Sequence, residues 1–388
     1  MSGALKRDEW ETVRLGDVCS VVSGSTPKTA NPEYWDGDTL WITPAELNED
    51  SHYIYDTTRK ITEAGRNSAS LTLLPKGTVL LSSRAPIGKV GIVGTEMCCN
   101  QGFKNLVCSP VIFNNYLFWF LKGKTDYLNS LGRGATFKEI SKGIVESIQI
   151  SLPPLDVQRR IADTLDKVTE LITLRKTQLK KLDELVKARF VELFGDQESN
   201  PFGWEQCSIG ECCTLKSGTS LPAEVENEGG SIPYVKVGDM NYPGNERYIT
   251  TSSRYVSEET AGKGLFEVGS VLFPKRGGAI GTNKKRMTKL PVCADLNVMG
   301  VSSNGKLLPE YLFAYFDLID LGALADGSSV PQINNKNIAP LVICLPPMEL
   351  QKHFAAFVEQ TDKSKVIIQQ SLDTLETLKK SLMQEYFG

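Results

Sequence analysis

Histidine is almost missing from this chain: His52 and His353 are the only two among 388 residues. Nine cysteines are present, but none is spaced C-x-x-C; they stand singly or as the adjacent pairs Cys98-Cys99 and Cys212-Cys213. These shortages exclude the usual Cys/His metal site, and the cysteines read as free thiols of a reducing cytoplasm. Long apolar runs are lacking too. The strongest, over residues 111–121, contains Asn114 and Asn115 and is too short to cross a bilayer. The opening Met-Ser-Gly-Ala-Leu-Lys-Arg-Asp-Glu has no apolar core, so no signal peptide is read and a cytoplasmic location is expected.

Catalytic signatures are equally scarce. Asn31-Pro32-Glu33-Tyr34 lacks the second proline of the amino-methyltransferase N/D-P-P-Y/F motif, and Gly277-Gly278-Ala279-Ile280-Gly281 lacks the G-K-[ST] ending of a phosphate-binding loop. With no nucleophile motif either, no catalytic site, metal or cofactor is expected in this chain. A surplus of positive charge is also absent. Lys and Arg number 43 against 46 Asp and Glu, a net charge of −3, which argues against a whole-surface nucleic-acid footprint. Basic patches are local. The segment 263–289 carries Lys263, Lys275, Arg276, Lys284, Lys285, Arg286 and Lys289 against the single acid Glu267.

What the chain does have is a doubled text. Ile150-Ser-Leu-Pro-Pro-Leu-Asp-Val-Gln158 returns as Ile343-Cys-Leu-Pro-Pro-Met-Glu-Leu-Gln351, and Phe194-Gly195 returns as Phe387-Gly388. Trp10-Glu11 recurs as Trp204-Glu205, and Gly16 and Gly24 recur as Gly210 and Gly218. A period of half the chain is not a solenoid, whose repeats run ~20–50 residues. It is a pseudo-dimer in one polypeptide.

Each repeat ends in a helical pattern. Ile161, Leu165, Val168, Ile172, Leu179, Leu182 and Val186 step by four and three, with Arg175 filling the gap. The matching seam is Phe354, Val358, Thr361, Lys365, Ile368, Leu372, Leu375 and, slightly out of register, Leu378 and Leu382. Pro154 and Pro347 suit a first helical position, Asp156 and Glu349 suit the positive helix end, and Gly195 and Gly388 suit C-terminal caps. At ~1.5 Å per residue each helix is roughly 55 Å long. A narrow apolar seam calls for a partner helix, and pseudo-two-fold symmetry favours an antiparallel pair. Arg175 and Lys365 each fall where the other helix has an aliphatic residue, Ile368 or Ile172, a mismatch suited to fixing register.

The remainder reads as α+β. Strands are expected around residues 78–81, 90–93, 270–273 and 341–345, and short helices over 114–121 and 309–316. The fold class is therefore two tandem α+β domains, each followed by a long helix. The boundaries are 1–150, 151–195, 196–343 and 344–388.

Two loop pairs carry the functional signal. Ser82-Ser83-Arg84-Ala-Pro-Ile87-Gly88-Lys89 aligns with Pro274-Lys275-Arg276-Gly-Gly-Ala-Ile280-Gly281, a strand end running into an arginine-bearing loop. Gly132-Arg133-Gly134-Ala-Thr136-Phe-Lys138 aligns with Gly327-Ser328-Ser329-Val-Pro-Gln332-Ile-Asn334-Asn335-Lys336, just before the strand that leads into L-P-P. Such residues suit phosphate and base-edge contacts, so Arg84, Lys89, Arg133, Thr136, Lys138, Lys275, Arg276, Lys284, Lys285, Arg286, Gln332, Asn334, Asn335 and Lys336 are the candidate DNA-binding residues.

These residues resemble those of a Type I restriction–modification specificity subunit, over essentially the whole chain. The doubled I-x-L-P-P-x-x-x-Q followed by a helix ending in F-G resembles the family's helical regions. Ser23-Gly-Ser-Thr-Pro27, Glu33-Tyr-Trp35-Asp-Gly37 and Trp41-Ile-Thr-Pro-Ala-Glu-Leu47 resemble the opening of many of its target-recognition domains. Lys216-Ser-Gly218-Thr with Ile232-Pro-Tyr234-Val-Lys-Val237-Gly-Asp239 is a looser version. The resemblance implies a non-catalytic reader of a bipartite, asymmetric double-stranded DNA target, whose helices dock two methyltransferase subunits and, through them, restriction subunits. S-adenosylmethionine would belong to the methyltransferase partner, and ATP and magnesium to the restriction partner. Rival readings are a coiled-coil scaffold whose globular ends bind protein, a self-contained methyltransferase and a solitary repressor.

Overall fold

The computed structural model describes residues 10–133, 138–226 and 229–388. Its contacts gather into two units, Met1–Leu174 with Ser371–Gly388, and Arg175–Gln370. Two 40-residue helices, Leu155–Phe194 and Met348–Phe387, belong partly to each. Inside the first unit the start of the first long helix (Ile161, Ala162, Leu165) shares a core with the end of the second (Leu382, Met383, Tyr386, Phe387). Inside the second unit the end of the first (Val186, Phe190, Phe194) shares a core with the start of the second (Phe354, Val358). The long helices are thus paired antiparallel.

The expected seam is buried from Ile161 to Ile172 and again at Phe354, Val358, Thr361 and Leu372. Lys365 reaches across to an ion pair with Asp183 of the other helix, so the polar intruder in the second unit is held by a specific partner. Arg175 bonds Gln178 on its own helix through Nη1 at 2.7 Å. Leu378 falls outside the seam at 44% exposure. Lys379 lies next to it, with its ammonium 5.0 Å from the Trp119 ring centroid. Pro154 and Pro347 sit one position before the helices, where their carbonyls accept the first helical N–H groups, from Gln158 at 3.0 Å and Gln351 at 3.2 Å. Gly195 takes φ +75° at the end of the first long helix, the left-handed cap for which glycine is suited.

The first unit carries a five-stranded sheet in the order Cys19–Ser23, Lys104–Cys108, Val79–Leu81, Val90–Val93, Tyr53–Ile54, and a three-stranded sheet of Arg59–Ile61, Trp35–Ile42 and Cys98–Cys99. The second repeats this with Cys213–Ser217, Val298–Ser303, Val271–Pro274, Arg286–Thr288 and Tyr248–Ile249, beside a four-stranded sheet of Tyr255–Val256, Ile232–Val235, Val292–Ala294 and Leu265–Phe266. In both units a strand opening the domain pairs antiparallel with the one entering L-P-P, Glu11–Arg14 with Gln149–Leu152 and Glu205–Ser208 with Val342–Leu345. The short helices Asn114–Gly123 and Pro309–Leu318 lie where the sequence placed them.

The repeated glutamine has a definite task. Gln158 Oε1 accepts from Phe113 N at 2.7 Å, while Nε2 donates to Pro153 O at 2.8 Å and Val111 O at 3.0 Å. Gln351 does the same with Leu308 N, Pro346 O and Lys306 O, at 2.8, 3.0 and 3.2 Å. Phe113 and Leu308 are the N-cap residues of the short helices, so each glutamine accepts from the N-cap N–H as the N3 Glu or Gln of a capping box would, a position held here by Tyr116 or Tyr311. The repeated phenylalanines are matched too: Phe387 meets Tyr116 at 5.3 Å and Phe194 meets Tyr311 at 4.7 Å between ring centroids.

Candidate nucleic-acid interface

Both predicted loops of each unit converge on one tip. In the first unit Ile140 N donates to Ser83 O at 2.9 Å, and Arg133 and Glu139 exchange backbone bonds at 3.0 and 3.1 Å. Isolated bridges join Arg84 to Glu139 and Arg133 to Glu139. In the second unit Ile333 N donates to Lys275 O at 2.9 Å, Gly277 N to Pro331 O at 2.8 Å, and Asp326 N to Gln332 O at 3.0 Å, with a bridge between Arg276 and Gln332. Ser83 therefore corresponds to Lys275, Arg84 to Arg276, Glu139 to Gln332 and Arg133 to Asp326. The scaffold is shared and the side chains on it differ.

The difference is electrostatic. Arg84 is exposed, and its Nε lies 3.0 Å from Glu139 Oε2, while the largely buried Lys104 places Nζ 3.2 Å from Oε1 of the same carboxylate. Burial opposes the charge on Glu139, but the hydrogen bonds from Lys104 and Arg84 outweigh it and hold the carboxyl below its ordinary range. The η nitrogens of Arg84 make no hydrogen bond among the described residues. At the second tip no carboxylate takes the place of Glu139: neutral Gln332 stands there, and Lys275 Nζ donates to Ser217 Oγ at 2.9 Å. Asp326 has its carboxyl held low by hydrogen bonds from Ser328 and Gln332 N.

The structure places the predicted residues unequally. Arg84, Arg133, Lys138 and Arg276 are exposed on the tips, and Gln332 is half-buried there. Lys89 is half-buried and donates to Pro44 O at 3.1 Å. Asn334 precedes a one-turn helix, Asn335–Ile338, and its N–H bonds the Asn337 side chain at 2.9 Å, so it caps that turn, while Asn335 and Lys336 are exposed. Thr136 lies outside the described residues.

The run Lys284 to Arg286 is not a surface patch. Lys284 bonds Asn241, and Arg286 folds its guanidinium onto Met240 O at 3.0 and 3.2 Å. Lys285 is 3% exposed and donates to Ile319 O and Asn283 Oδ1. Burial pulls its ammonium down to about 8. Three adjacent cations look like a phosphate grip in the sequence, but Lys285 and Arg286 are spent on carbonyls of the fold, and Lys284 alone stays at the surface, on the exposed Asn241. Glu139 and Lys104 complete the tip although neither is among the predicted residues: Glu139 is an acid, and Lys104 lies on the strand Lys104–Cys108 outside both loops. An acid between the cations of a recognition loop was the available signal.

Among the described residues there is no cluster of three or more His, Cys, Asp or Glu able to hold a metal ion, and no helix is long and apolar enough to cross a membrane.

Known proteins resemble this chain in sequence and in fold. A sequence profile described as the Type I restriction modification DNA specificity domain matches twice, at residues 7–184 and 201–377. The chain is 28% identical to the Type I restriction enzyme MjaIX specificity subunit of Methanocaldococcus jannaschii, covering 98% of this chain and 93% of that one. It is 21% identical to the EcoDI specificity subunit of Escherichia coli, over 98% and 88% of the two. In fold it is similar to the S subunit of a Type I restriction–modification system from M. genitalium, with a TM-score of 0.60 at 14% identity over 100% and 97% of the chains. It is also similar to a chain solved in a study of complex assembly and conformational transition of the type I system, with a TM-score of 0.62 at 20% identity over 97% of both.

Proposed function

Because this chain belongs to the Type I restriction–modification DNA specificity family, we propose that its two tips each read one half of a split, asymmetric double-stranded DNA target. The observation that carries this reading is the pair of tips, built on the same backbone hydrogen bonds yet bearing Arg84, Arg133 and Glu139 in one unit and Arg276, Asp326 and Gln332 in the other. A common scaffold with different donors and acceptors is what two readers of different half-sites require. Phosphate contacts from Lys138 and Lys336 would set register, and the exposed arginines and Gln332 would address base edges.

The antiparallel long helices are two copies of one helical region, which fits the docking of two methyltransferase subunits in a cytoplasmic complex. Those partners would carry S-adenosylmethionine, extrude the target adenine and methylate it. Restriction subunits, with ATP and magnesium, would join through them. An acidic reader is consistent with this assembly, since its partners share the grip on phosphates.

The test is co-expression with the neighbouring methyltransferase in a methylation-free host, followed by modified-base sequencing of the genome. Adenine methylation at one bipartite motif, lost when this chain is omitted, is the expected result. A stable complex that methylates without sequence preference would instead make the chain a scaffold.

A further inference from the structure

Beside the tip, each unit carries a smaller sheet built around an aromatic residue and an arginine at matching positions. In the first unit Trp41 pairs with Arg59 across neighbouring strands, and Trp41 Nε1 donates to Ser25 O at 3.1 Å. In the second, Tyr234 N donates to Arg254 O at 2.9 Å, and Tyr234 OH donates to Thr219 O at 2.9 Å. Ser25 and Thr219 follow the repeated glycines, Gly24 and Gly218. A Cβ at either glycine would lie 2.0 or 2.1 Å from the carbonyl oxygen of Asn100 or Asp295, so the close approach requires glycine.

The two arginines meet different surroundings. Arg254 Nε lies 3.3 Å from the Glu226 carboxylate, which Lys236 also bonds at 2.7 Å, and Arg254 Nη1 donates to Ser253 Oγ at 3.0 Å. Arg59 instead rests on indole: its guanidinium carbon is 3.5 Å from the Trp35 ring centroid and 5.8 Å from that of Trp41. The Trp35 and Trp41 rings stand edge to face at 5.1 Å, and Trp35 Nε1 donates to Lys28 O at 3.4 Å, which anchors the platform. Among the described residues the Arg59 side-chain nitrogens make no hydrogen bond or ion pair, although the residue is exposed.

A guanidinium held on an aromatic face has already surrendered much of its rotamer freedom, while its edge donors stay open to a planar pair of acceptors. The platform is also joined to the tip. Ser83 N donates to Gly102 O at 2.7 Å, the neighbouring Gln101 bonds Thr26, and Ser25 is held by Trp41.

We propose that Arg59 is a DNA contact of the first domain, bonding a pair of acceptors that are either phosphate oxygens or the O6/N7 edge of guanine. Arg254, spent on Glu226, is its structural counterpart and makes no such contact. The proposal rests on the reader assignment above. Its test uses the complex of this chain with its methyltransferase and a duplex carrying the motif found for the wild type. R59A is expected to weaken binding about tenfold, whereas R254A lowers the melting temperature of the complex without changing the motif. A phosphate contact makes the salt dependence of R59A shallower by about one in the log–log slope, with an unchanged motif. A guanine contact relaxes one position of one half-site. R59Q, close in shape and uncharged, decides the matter if R59A melts low. Wild-type affinity, slope and motif in R59Q overturn the proposal. A wild-type complex that has no motif overturns the reader assignment instead.

Discussion

The carbonyl oxygen of the Gln158 side chain lies 2.7 Å from the backbone nitrogen of Phe113, and the amide's other end ties Pro153 and Val111. One fully buried side chain thus joins the start of a long helix to the cap of a short one. Gln158→Ala strands the Phe113 N–H and two carbonyls, and is expected to cost about 2–3 kcal/mol. Urea melts of the complex check this. If the sequenced methylation motif changed while the melting curve did not, the glutamine would be part of the reader rather than of its frame.

Glu139 is expected to set what Arg84 reads. In E139Q the first tip acquires the amide that Gln332 gives the second, and Arg84 and Lys104 lose their shared counter-charge. Discrimination at one position of one half-site should fall about tenfold, with the other half-site unchanged. Non-specific binding should become steeper in salt by about one unit of log–log slope. Modified-base sequencing and a salt titration measure the two effects; an unaltered motif with an unaltered slope would refute the assignment.

Lys285 and Arg276 should separate stability from recognition. K285M leaves Ile319 O without its donor and takes one of two donors from Asn283 Oδ1, which keeps Leu321 N, at an expected cost of about 1–3 kcal/mol, and the motif stays as it was. R276A should stay within about 0.5 kcal/mol of wild type in stability and weaken DNA binding about tenfold. Melts and titrations on the same two preparations give the comparison, and reversed roles would return Lys285 to the interface.

Alkaline pH should loosen the fold. Burial pushes the thiols of Cys98, Cys212 and Cys213 up to about 11 and those of Cys99 and Cys207 to about 12. An unfolded cysteine ionises near ~8.5, so between there and about 11 the folded chain holds protons that the unfolded chain has lost. Stability then falls as pH rises. Lys285 and Lys122 act in the opposite sense, burial depressing Lys285 to about 8 against an unfolded value of ~10.4 and Lys122 in the same direction, but they are two ammoniums against five thiols. Melting temperatures taken from pH 7.5 to 10.5 should decline; a rise would show that the thiols are not shielded.

The repeat, the long helices and the matching of two loops between the repeats were legible because they are written in local period and in doubled text, whereas the convergence of those loops on one tip rests on bonds such as Ile140 N to Ser83 O, between residues far apart in the chain. Gln158 could be seen to recur, but its partner Phe113 lies 45 residues away, and no local pattern reports that distance. The Lys284–Arg286 run was misleading for the converse reason: charge is visible in sequence and burial is not. Arg59 carries no motif of its own. Its meaning comes from Trp35 beneath it and from the contrast with Arg254, both of which are set by strand pairing.

The exchanged helix ends give the two units unequal histories during synthesis. Phe387, 6% exposed, closes the core of the first unit against Tyr116 and Phe120. A ribosome delivers that residue only after the whole second unit has been made. The second unit instead receives Phe190 and Phe194 from chain already translated, and Phe354 soon after its own strands. The domain made first is therefore completed last, and until then its aromatic seam around Tyr116 stays open to chaperones and to neighbouring nascent chains.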